Sequence, residues 1–444
     1  MTIQSELFKY GGLPATSNFF GRKQELKQIE QAFINNRRFM ITGIDGQGKT
    51  NLAIEIGRKN KRKVCFIDYS TSQNINSIDL VIKTLADVLN NNTVAKGIAE
   101  ASEVLKETPV LLILDSLENV QPEQLPELLN VATQLSEIGE CRLLVTSLVQ
   151  SDEIDCKVLS LNGLIEKDAI EYFHYLWRLS SEQKVPKSSE LLKLFKLVNF
   201  NPLLIKLLAF PLRTMPLSIF KENLEQLLTP KTDKLEDKLW IILNFALKNL
   251  EIEARKTGLS YWLAKLLNGN INHKLTIDSI TLFLLPRLGV FQHGAFEPDI
   301  LEITDFTRKQ WDILNSMLRD SGLIQFEKLP LFRVPYVKFH PILAAILWSH
   351  IAKEHDKVFS DYQQRYAQVS AYMAYEEGKN ADQVRNLIRR DFPNLIFAVS
   401  SALDEKKTWG PQFVRNLSLY LTVFGFERDQ EMLTKKADAM EANK

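Results

Sequence analysis

Residues Phe39 to Thr50 read FMITGIDGQGKT, and the rest of the chain is best read outward from them. A short apolar run, Phe39-Met40-Ile41, leads into Gly43-Ile44-Asp45-Gly46-Gln47-Gly48-Lys49-Thr50, which meets every fixed position of G-x-x-x-x-G-K-[ST]. The chemistry asks for those residue types. Glycines at 43, 46 and 48 let backbone N–H groups turn onto phosphate oxygens with no Cβ in the way. Lys49 suits the β- and γ-phosphates of a nucleotide, and the Thr50 hydroxyl suits Mg²⁺. A helix expected from Thr50 to Lys59 adds the positive end of its dipole.

Composition bounds what such a loop can serve. A chain of 444 residues is long enough for two to four domains, and 45% apolar residues suffice for several cores. The net charge of +1 gives no global field toward nucleic acid or an anionic membrane. Cys65, Cys141 and Cys156 sit in apolar runs without C-x-x-C spacing, so they read as reduced core residues of a cytoplasmic protein. No apolar run approaches the ~18 residues of a membrane span, and no signal pattern opens the chain. The histidines show no metal-ligand clustering, and no Ser- or Cys-based triad signature is present.

In chain order, residues 1–20 form a lead-in segment, short enough to suggest a piece of a longer multidomain protein. Lys63 to Asp68 reads as a second strand. Val110-Leu111-Leu112-Ile113-Leu114-Asp115 reads as a strand buried on both faces that ends in an acid, where ligands bind in open α/β sheets. Asp115 is therefore the expected partner of Mg²⁺. Cys141 to Thr146 and Cys156 to Leu161 supply two more strands, and helical patterns separate the runs. Residues 21–160 are thus expected as a doubly wound parallel α/β domain. Helical periodicity takes over from Leu161, broken at Asn201-Pro202, with a boundary expected in the turn-prone Thr229–Asp233. Within 233–352, a helix from Thr307 to Asp320, a hairpin-like pair and a helix after Phe339-His340-Pro341 outline a winged helix. Residues 353–444 read as a helical domain, the start of a TPR-like sensor array, although no full repeat period is established.

Taken together over at least residues 19–352, the motifs resemble the signal-transduction ATPases with numerous domains (STAND), in their NB-ARC branch. Phe19-Phe20-Gly21-Arg22, followed by Glu25, resembles the family's opening, and residues 43–50 its phosphate loop. Asp115 matches its Walker B acid, and Thr146-Ser147 its first sensor. Leu161, Leu164 and Ala169 match the start of its helical lid, and Asn199-Phe200-Asn201-Pro202-Leu203 its Gly-x-Pro-Leu motif, whose proline packs on adenine. His340 matches the histidine that touches the β-phosphate of ADP. The resemblance implies a P-loop NTPase domain, an all-α lid at 161–232, a winged-helix domain and a C-terminal helical segment. It also implies nucleotide contacts at Phe20, Gly21, Arg22, Asp45, Gln47, Asn51, Pro202, Leu203 and His340, beside the loop residues already named.

The departures bear on chemistry. The second acid after Asp115 is Ser116, with Glu118 as the nearest substitute; an expected sensor arginine is Leu148; and Asn199 stands for the glycine of the lid motif. Lys49, Asp115 and Glu118 are the candidate catalytic residues, for at most a slow Mg²⁺-dependent ATPase. The expectation is a switch: ADP holds a closed monomer, ATP an open self-associating form, and a protein or small-molecule signal acts at the C-terminal helices. The alternative is a DNA-acting AAA-type ATPase, although Arg308, Lys309 and Arg319 are mixed with Asp312 and Asp320 on the candidate recognition helix. A kinase lacks a visible acceptor site and base. Neither nucleic acid nor membrane is expected as a partner.

Overall fold

The structure is a computed structural model of the chain, and it describes residues 12–14, 19–71, 75–91, 93–178, 185–209, 212, 217–228, 235–248, 252–253, 274–275, 279–328, 334–351 and 355–442. Most of the lead-in segment and the boundary expected at Thr229–Asp233 lie outside the described residues.

Five strands form one sheet: β1 (Arg38–Thr42), β2 (Lys63–Asp68), β3 (Val110–Asp115), β4 (Arg142–Ser147) and β5 (Lys157–Ser160). Their order is β2-β3-β4-β1-β5, and every pairing is parallel. The strand residues alternate between two cores, as a period of two demands. Phe39, Ile41, Leu111, Ile113 and Leu144 pack with Leu26, Ile29, Leu52 and Ile56 of α1 (Lys23–Asn35) and α2 (Lys49–Lys59). Met40, Leu112, Leu114, Leu143 and Val145 face the other way, toward α3 (Ser77–Leu89), α4 (Ile98–Glu107) and α5 (Leu125–Ser136). The sheet is therefore covered on both faces, which its continuous apolar strands require. Because β4 lies between β1 and β3, the ends of three strands converge beside the loop at 43–50.

Past β5 the chain is helical: α6 (Glu166–Arg178), α7 (Ser188–Leu197), α8 (Pro202–Ala209), α9 (Leu217–Leu228) and α10 (Leu235–Lys248). A two-residue pair, β6 (Ile252–Glu253) and β7 (Lys274–Leu275), and α11 (Ser279–Leu284) follow. Next come β8 (Gly294–Phe296), α12 (Glu297–Thr304), α13 (Arg308–Asp320), β9 (Ile324–Glu327), β10 (Tyr336–Phe339) and α14 (Pro341–Trp348). Thr307 closes a capping box with Gln310 at the start of α13. Strands β9 and β10 pair as the expected antiparallel hairpin, and β8, which the sequence did not suggest, adds to the free edge of β10.

Three helices end the chain: α15 (His355–Asp404), bent at Asn380, α16 (Gly410–Phe424) and α17 (Glu427–Ala442). The second half of α15 is bonded to the small sheet. Asn394 Nδ2 donates to Gly294 O at 2.8 Å, its Oδ1 accepts from Gln292 N at 2.7 Å, and Arg390 pairs with Glu327 at 2.7 Å. Helix α17 then returns to the parallel-sheet region. The buried Asp429 carboxylate accepts from Asn76 N–H, at the start of α3, through both oxygens at 3.1 and 2.9 Å. Arg428 lies 3.3 Å from Asp79 on α3 and 3.8 Å from Glu127 on α5.

Burial pushes the Asp429 carboxyl up to about 7; Asp79 adds to this, while Asn76 N–H and Arg428 oppose it. A carboxyl whose folded pKa exceeds its unfolded value of about 3.9 contributes stability that is full below that value. That contribution is lost as pH rises through about 7. Raising the pH from about 5 to about 8 is therefore expected to loosen α17 from α3. The measure is amide exchange at Asn76, corrected for intrinsic base catalysis, and Asp429→Asn should remove most of the pH dependence. Equal profiles in wild type and variant would assign the dependence to other groups.

Candidate functional site

The loop at 43–50 joins the end of β1 to the first turn of α2. Gly43, Gly46 and Gly48 all have positive φ, at 148, 74 and 90°. They are glycines for different reasons. A Cβ on Gly43 would stand 2.6 Å from Leu161 O, and one on Gly46 would stand 2.7 Å from Asn201 Oδ1 and 2.8 Å from Leu203 Cβ. A Cβ on Gly48 would meet nothing within 4 Å. Two glycines thus admit the helical segment that follows β5, and the third borders open space.

The loop's carbonyls are all engaged. Lys49 Nζ donates to Gly43 O at 2.7 Å and Ile44 O at 3.4 Å, and it lies 3.7 Å from the Asp45 carboxylate. Asn201 Nδ2 donates to Asp45 O at 2.8 Å, Leu203 N to Gly46 O at 3.3 Å, Arg22 Nη2 to Gln47 O at 3.1 Å, and Leu52 N to Gly48 O at 3.0 Å. With the carbonyls turned outward onto donors, the N–H groups of the loop are left to an anion.

Asn201 is the residue that the sequence reading passed over. It is buried, and its Oδ1 accepts from Leu203 N at 3.0 Å and Leu204 N at 3.2 Å, so it caps α8 while its amide nitrogen holds the loop. An Asn before a Pro at a helix start signals the cap, but nothing local signals a bond reaching back 156 residues. Just upstream, Asn199 and Phe200 both adopt left-handed backbone, with φ of 51 and 54°. The glycine of Gly-x-Pro-Leu falls two residues before Pro202, at Phe200, so that slot belongs to Phe200 rather than Asn199. Gly163 packs on this turn: a Cβ there would stand 2.2 Å from Asn199 O.

The strand ends supply the acids and hydroxyls. Asp115 Oδ2 accepts from Thr50 Oγ1 at 2.8 Å, and its Oδ1 accepts from Thr146 Oγ1 at 2.6 Å. Thr146 Oγ1 in turn accepts from Ser116 N at 2.8 Å. Burial pushes the Asp115 carboxyl up to about 7, as does Asp68, its register partner on β2, against the pull of the two threonine hydroxyls. Ser116 has a left-handed backbone, φ 64°, and starts the turn that carries Glu118, whose Oε2 accepts from Leu148 N at 3.1 Å. Burial raises the Glu118 carboxyl above its ordinary range, with Asp45 adding to this and Lys49 and the Leu148 N–H opposing it.

The remaining expected contacts divide. Arg22 is buried, and its guanidinium meets Glu25 at 2.9 Å, Gln47 O, Asn162 O and Gly163 O, so its donors serve the protein's own backbone. Gly21 permits the approach of α6: a Cβ would stand 2.3 Å from Asp168 Oδ2. Phe20 packs on α6, its ring 4.7 Å from that of Tyr175. Asn51 is exposed on α2. Pro202 and Leu203 begin α8 against the loop. His340 lies further off, at the corner between β10 and α14, where its N–H donates to Leu323 O at 2.7 Å. Burial, with the charges of Lys206 on α8 and of Lys338, holds its imidazole down to about 4.

The donor set fits a nucleotide and Mg²⁺. Gly48 leaves room, Gln47 Oε1 is buried without a hydrogen-bond partner, and Thr50 and Asp115 offer adjacent hard oxygen donors. Among the described residues no group of three or more His, Cys, Asp or Glu could hold a metal ion. No helix among the described residues is long and apolar enough to cross a membrane.

No protein-family model and no curated protein matches the chain. Among solved structures it is similar to a Signal Transduction ATPase with Numerous Domains (STAND) protein with a tetratricopeptide repeat sensor, from Pyrococcus horikoshii. That likeness has 16% identity and a TM-score of 0.44, over 97% of this chain and 60% of the other. This chain therefore spans 60% of that protein's length. A Walker-type ATPase of Pyrococcus abyssi is similar at 12% identity and a TM-score of 0.37, over 74% of this chain and 96% of its own. Cdc6p from Pyrobaculum aerophilum is similar at 16% identity and 0.35, over 77% and 96%. At this depth of similarity the chemistry rests on the geometry above.

Asn201 yields a direct test. Asn201→Ala removes the cap of α8 and leaves Asp45 O without its donor, and should lower stability by about 1–3 kcal/mol in denaturant unfolding. Asn201→Asp keeps the capping acceptor but not the donor, and should regain part of that loss while leaving the loop unanchored. If Asn201→Asp is as stable as wild type, the bond to Asp45 O contributes nothing beyond the cap.

Proposed function

We propose that the chain is a nucleotide-dependent switch of the STAND class, and that ADP or ATP with Mg²⁺ occupies the loop at 43–50. Residues 161–232 serve as its lid and 233–352 as its winged-helix domain. The observation that carries this reading is the set of bonds on the loop carbonyls. Because Asn201 and Leu203 hold Asp45 O and Gly46 O, a displacement of α8 takes the donors from two half-buried acceptors unless the loop moves too. Nucleotide state and lid position are then one equilibrium.

In this reading the loop N–H groups and Lys49 bind the phosphates, with Lys49 exchanging its bonds to Gly43 O and Ile44 O for phosphate oxygens. Thr50 and Asp115 hold Mg²⁺, which neutralises phosphate charge when bound. Hydrolysis is slow at best. Ser116 offers a hydroxyl where a second acid would orient water, and Glu118 is bonded to the Leu148 amide. ADP, met from the far side by His340, favours the closed monomer; ATP favours an open, self-associating form. Inverting such a balance takes about 5.5 kcal/mol of differential binding, more than a single added phosphate contact supplies. A second input at α15–α17, docked on α3 through Asp429, accounts for the remainder.

The DNA-acting alternative finds less support. Arg308 is paired with Glu297 at 2.7 Å and Asp312 at 3.3 Å, and Arg319 sits over the Phe326 ring, so the basic residues of α13 are largely committed. Duplex binding with a steep negative salt slope would restore it.

Lys49→Ala is expected to abolish nucleotide retention, read by denaturing the purified protein and identifying what is released. His340→Ala is expected to weaken ADP retention and to shift particle mass upward, measured by light scattering with ADP and with an ATP analogue. A His340→Ala protein that keeps ADP and stays monomeric removes the lock from the mechanism.

A further inference from the structure

Helix α15 folds back on itself. Tyr362 Oη donates to Asn394 O at 3.1 Å and to Asn394 Oδ1 at 2.9 Å, and Gln363 Nε2 donates to Ser401 Oγ at 3.1 Å. These pairs are 32 and 38 residues apart and would stand about 48 and 57 Å apart on a straight helix. The reversal is made at one residue. Asn380, with φ −141 and ψ 50°, alone departs from helical backbone, whereas connections between packed helices usually take about 2–8 residues. Across it, Glu377 Oε1 accepts from Arg385 at 2.6 and 2.7 Å. Eight residues span about 12 Å of helix, so that pair exists only in the bent form. Gly378, Lys379 and Asn380 are exposed, and a Cβ on Gly378 would meet nothing within 4 Å, so the bend itself faces solvent. Bringing the φ and ψ of Asn380 to helical values would make α15 one continuous helix. The bonds that hold residues 381–442 go back to distant parts of the chain. Arg390 meets Glu327 at 2.7 Å, Asn394 Nδ2 meets Gly294 O at 2.8 Å, Asn416 Nδ2 meets Ser370 Oγ at 3.2 Å, and Asp429 meets Asn76 N. A second copy of the chain offers the same partners in the same geometry. A short hinge between elements favours such exchange.

We propose that α15 is the hinge of a reciprocal exchange: it straightens at Asn380, and two copies of the chain swap residues 381–442 to form a dimer. The partner is a second copy because only it presents Asn76, Gly294, Glu327, Tyr362 and Ser370 at the spacing the segment requires. Exchange costs chiefly the Glu377–Arg385 pair that closes the bend. No step involves the phosphate loop, so this dimer is separate from the self-association assigned above to ATP.

The test uses the full chain, refolded over a range of concentrations and sized by light scattering. Asn380→Ala favours continuous helix at an exposed position and is expected to raise the dimer share about threefold or more. A glycine tripeptide inserted after Asn380 relaxes the hinge and should abolish the dimer. Spin labels at Gln364→Cys and Asp404→Cys, both exposed, read the helix within one copy when labelled Cys156→Ser chain is diluted with unlabelled chain. These positions are 40 residues apart, about 60 Å on a straight helix, so the dimer should show that long distance and the monomer a far shorter one. An Asn380→Ala chain that stays monomeric at every concentration overturns the exchange. So does a dimer that survives the insertion, or one that keeps the label distance of the monomer.

Discussion

A loop that turns its N–H groups inward must turn its carbonyls outward, and buried carbonyls need donors. The structure around residues 43–50 follows from meeting that need. One acceptor pair is met by the loop's own Lys49, one acceptor by Arg22 from the start of the chain, two by the cap of α8, and one by α2. The loop is thereby defined by elements spread from residue 22 to residue 203. Withdrawing α8 would take away two of these donors, Asn201 Nδ2 and Leu203 N–H. Packing requires the same arrangement, since Gly43 and Gly46 leave no space for a Cβ against Leu161, Asn201 and Leu203.

The acid end of the sheet works differently. Asp115 is buried, and burial and the neighbouring Asp68 push its carboxyl up to about 7 against the pull of the Thr146 and Thr50 hydroxyls. A divalent cation would supply the compensation that hydroxyls cannot. The Ser116 hydroxyl lies 3.4 Å from Asp115 Oδ2, and its N–H is given to Thr146.

Much of this was legible in the sequence because it is written locally. Val110–Asp115 is a continuous apolar run ending in an acid, and a doubly covered strand is its natural form. The phosphate loop, the Thr307 cap and the break at Pro202 are likewise short-range signals. The interposition of β4 between β1 and β3 is a pairing choice between distant segments, and no periodicity encodes it. Strand β8 is three residues, Gly-Ala-Phe, too short to alternate, and exists because β10 has an edge to offer. Arg22 was readable as a partner of Glu25 one turn on, yet its three bonds to backbone carbonyls depend on where residues 47, 162 and 163 arrive. Asn201 was missed for the same reason. Side chains that serve remote backbone leave no trace beyond being polar and capable of burial.

The long-range bonds make the chain a closed circuit. The parallel sheet hands over to α8 at the loop, and α8 reaches the 322 turn through Lys206. The small antiparallel sheet is pinned to α15 by Asn394 and Arg390, and α17 returns to α3 through Asp429. In an open chain of modules a nucleotide could affect only its immediate neighbours. In a closed one, loosening α17 and changing a phosphate contact would bear on the same equilibrium. Reciprocity follows as a thermodynamic necessity. If ligand at the loop tightens the circuit, whatever pries α17 from α3 must weaken that ligand by the same factor. The Asp429–Asn76 contact lies on the α4 and α5 face of the sheet, remote in sequence from Lys49, and it is the bond that closes the circuit.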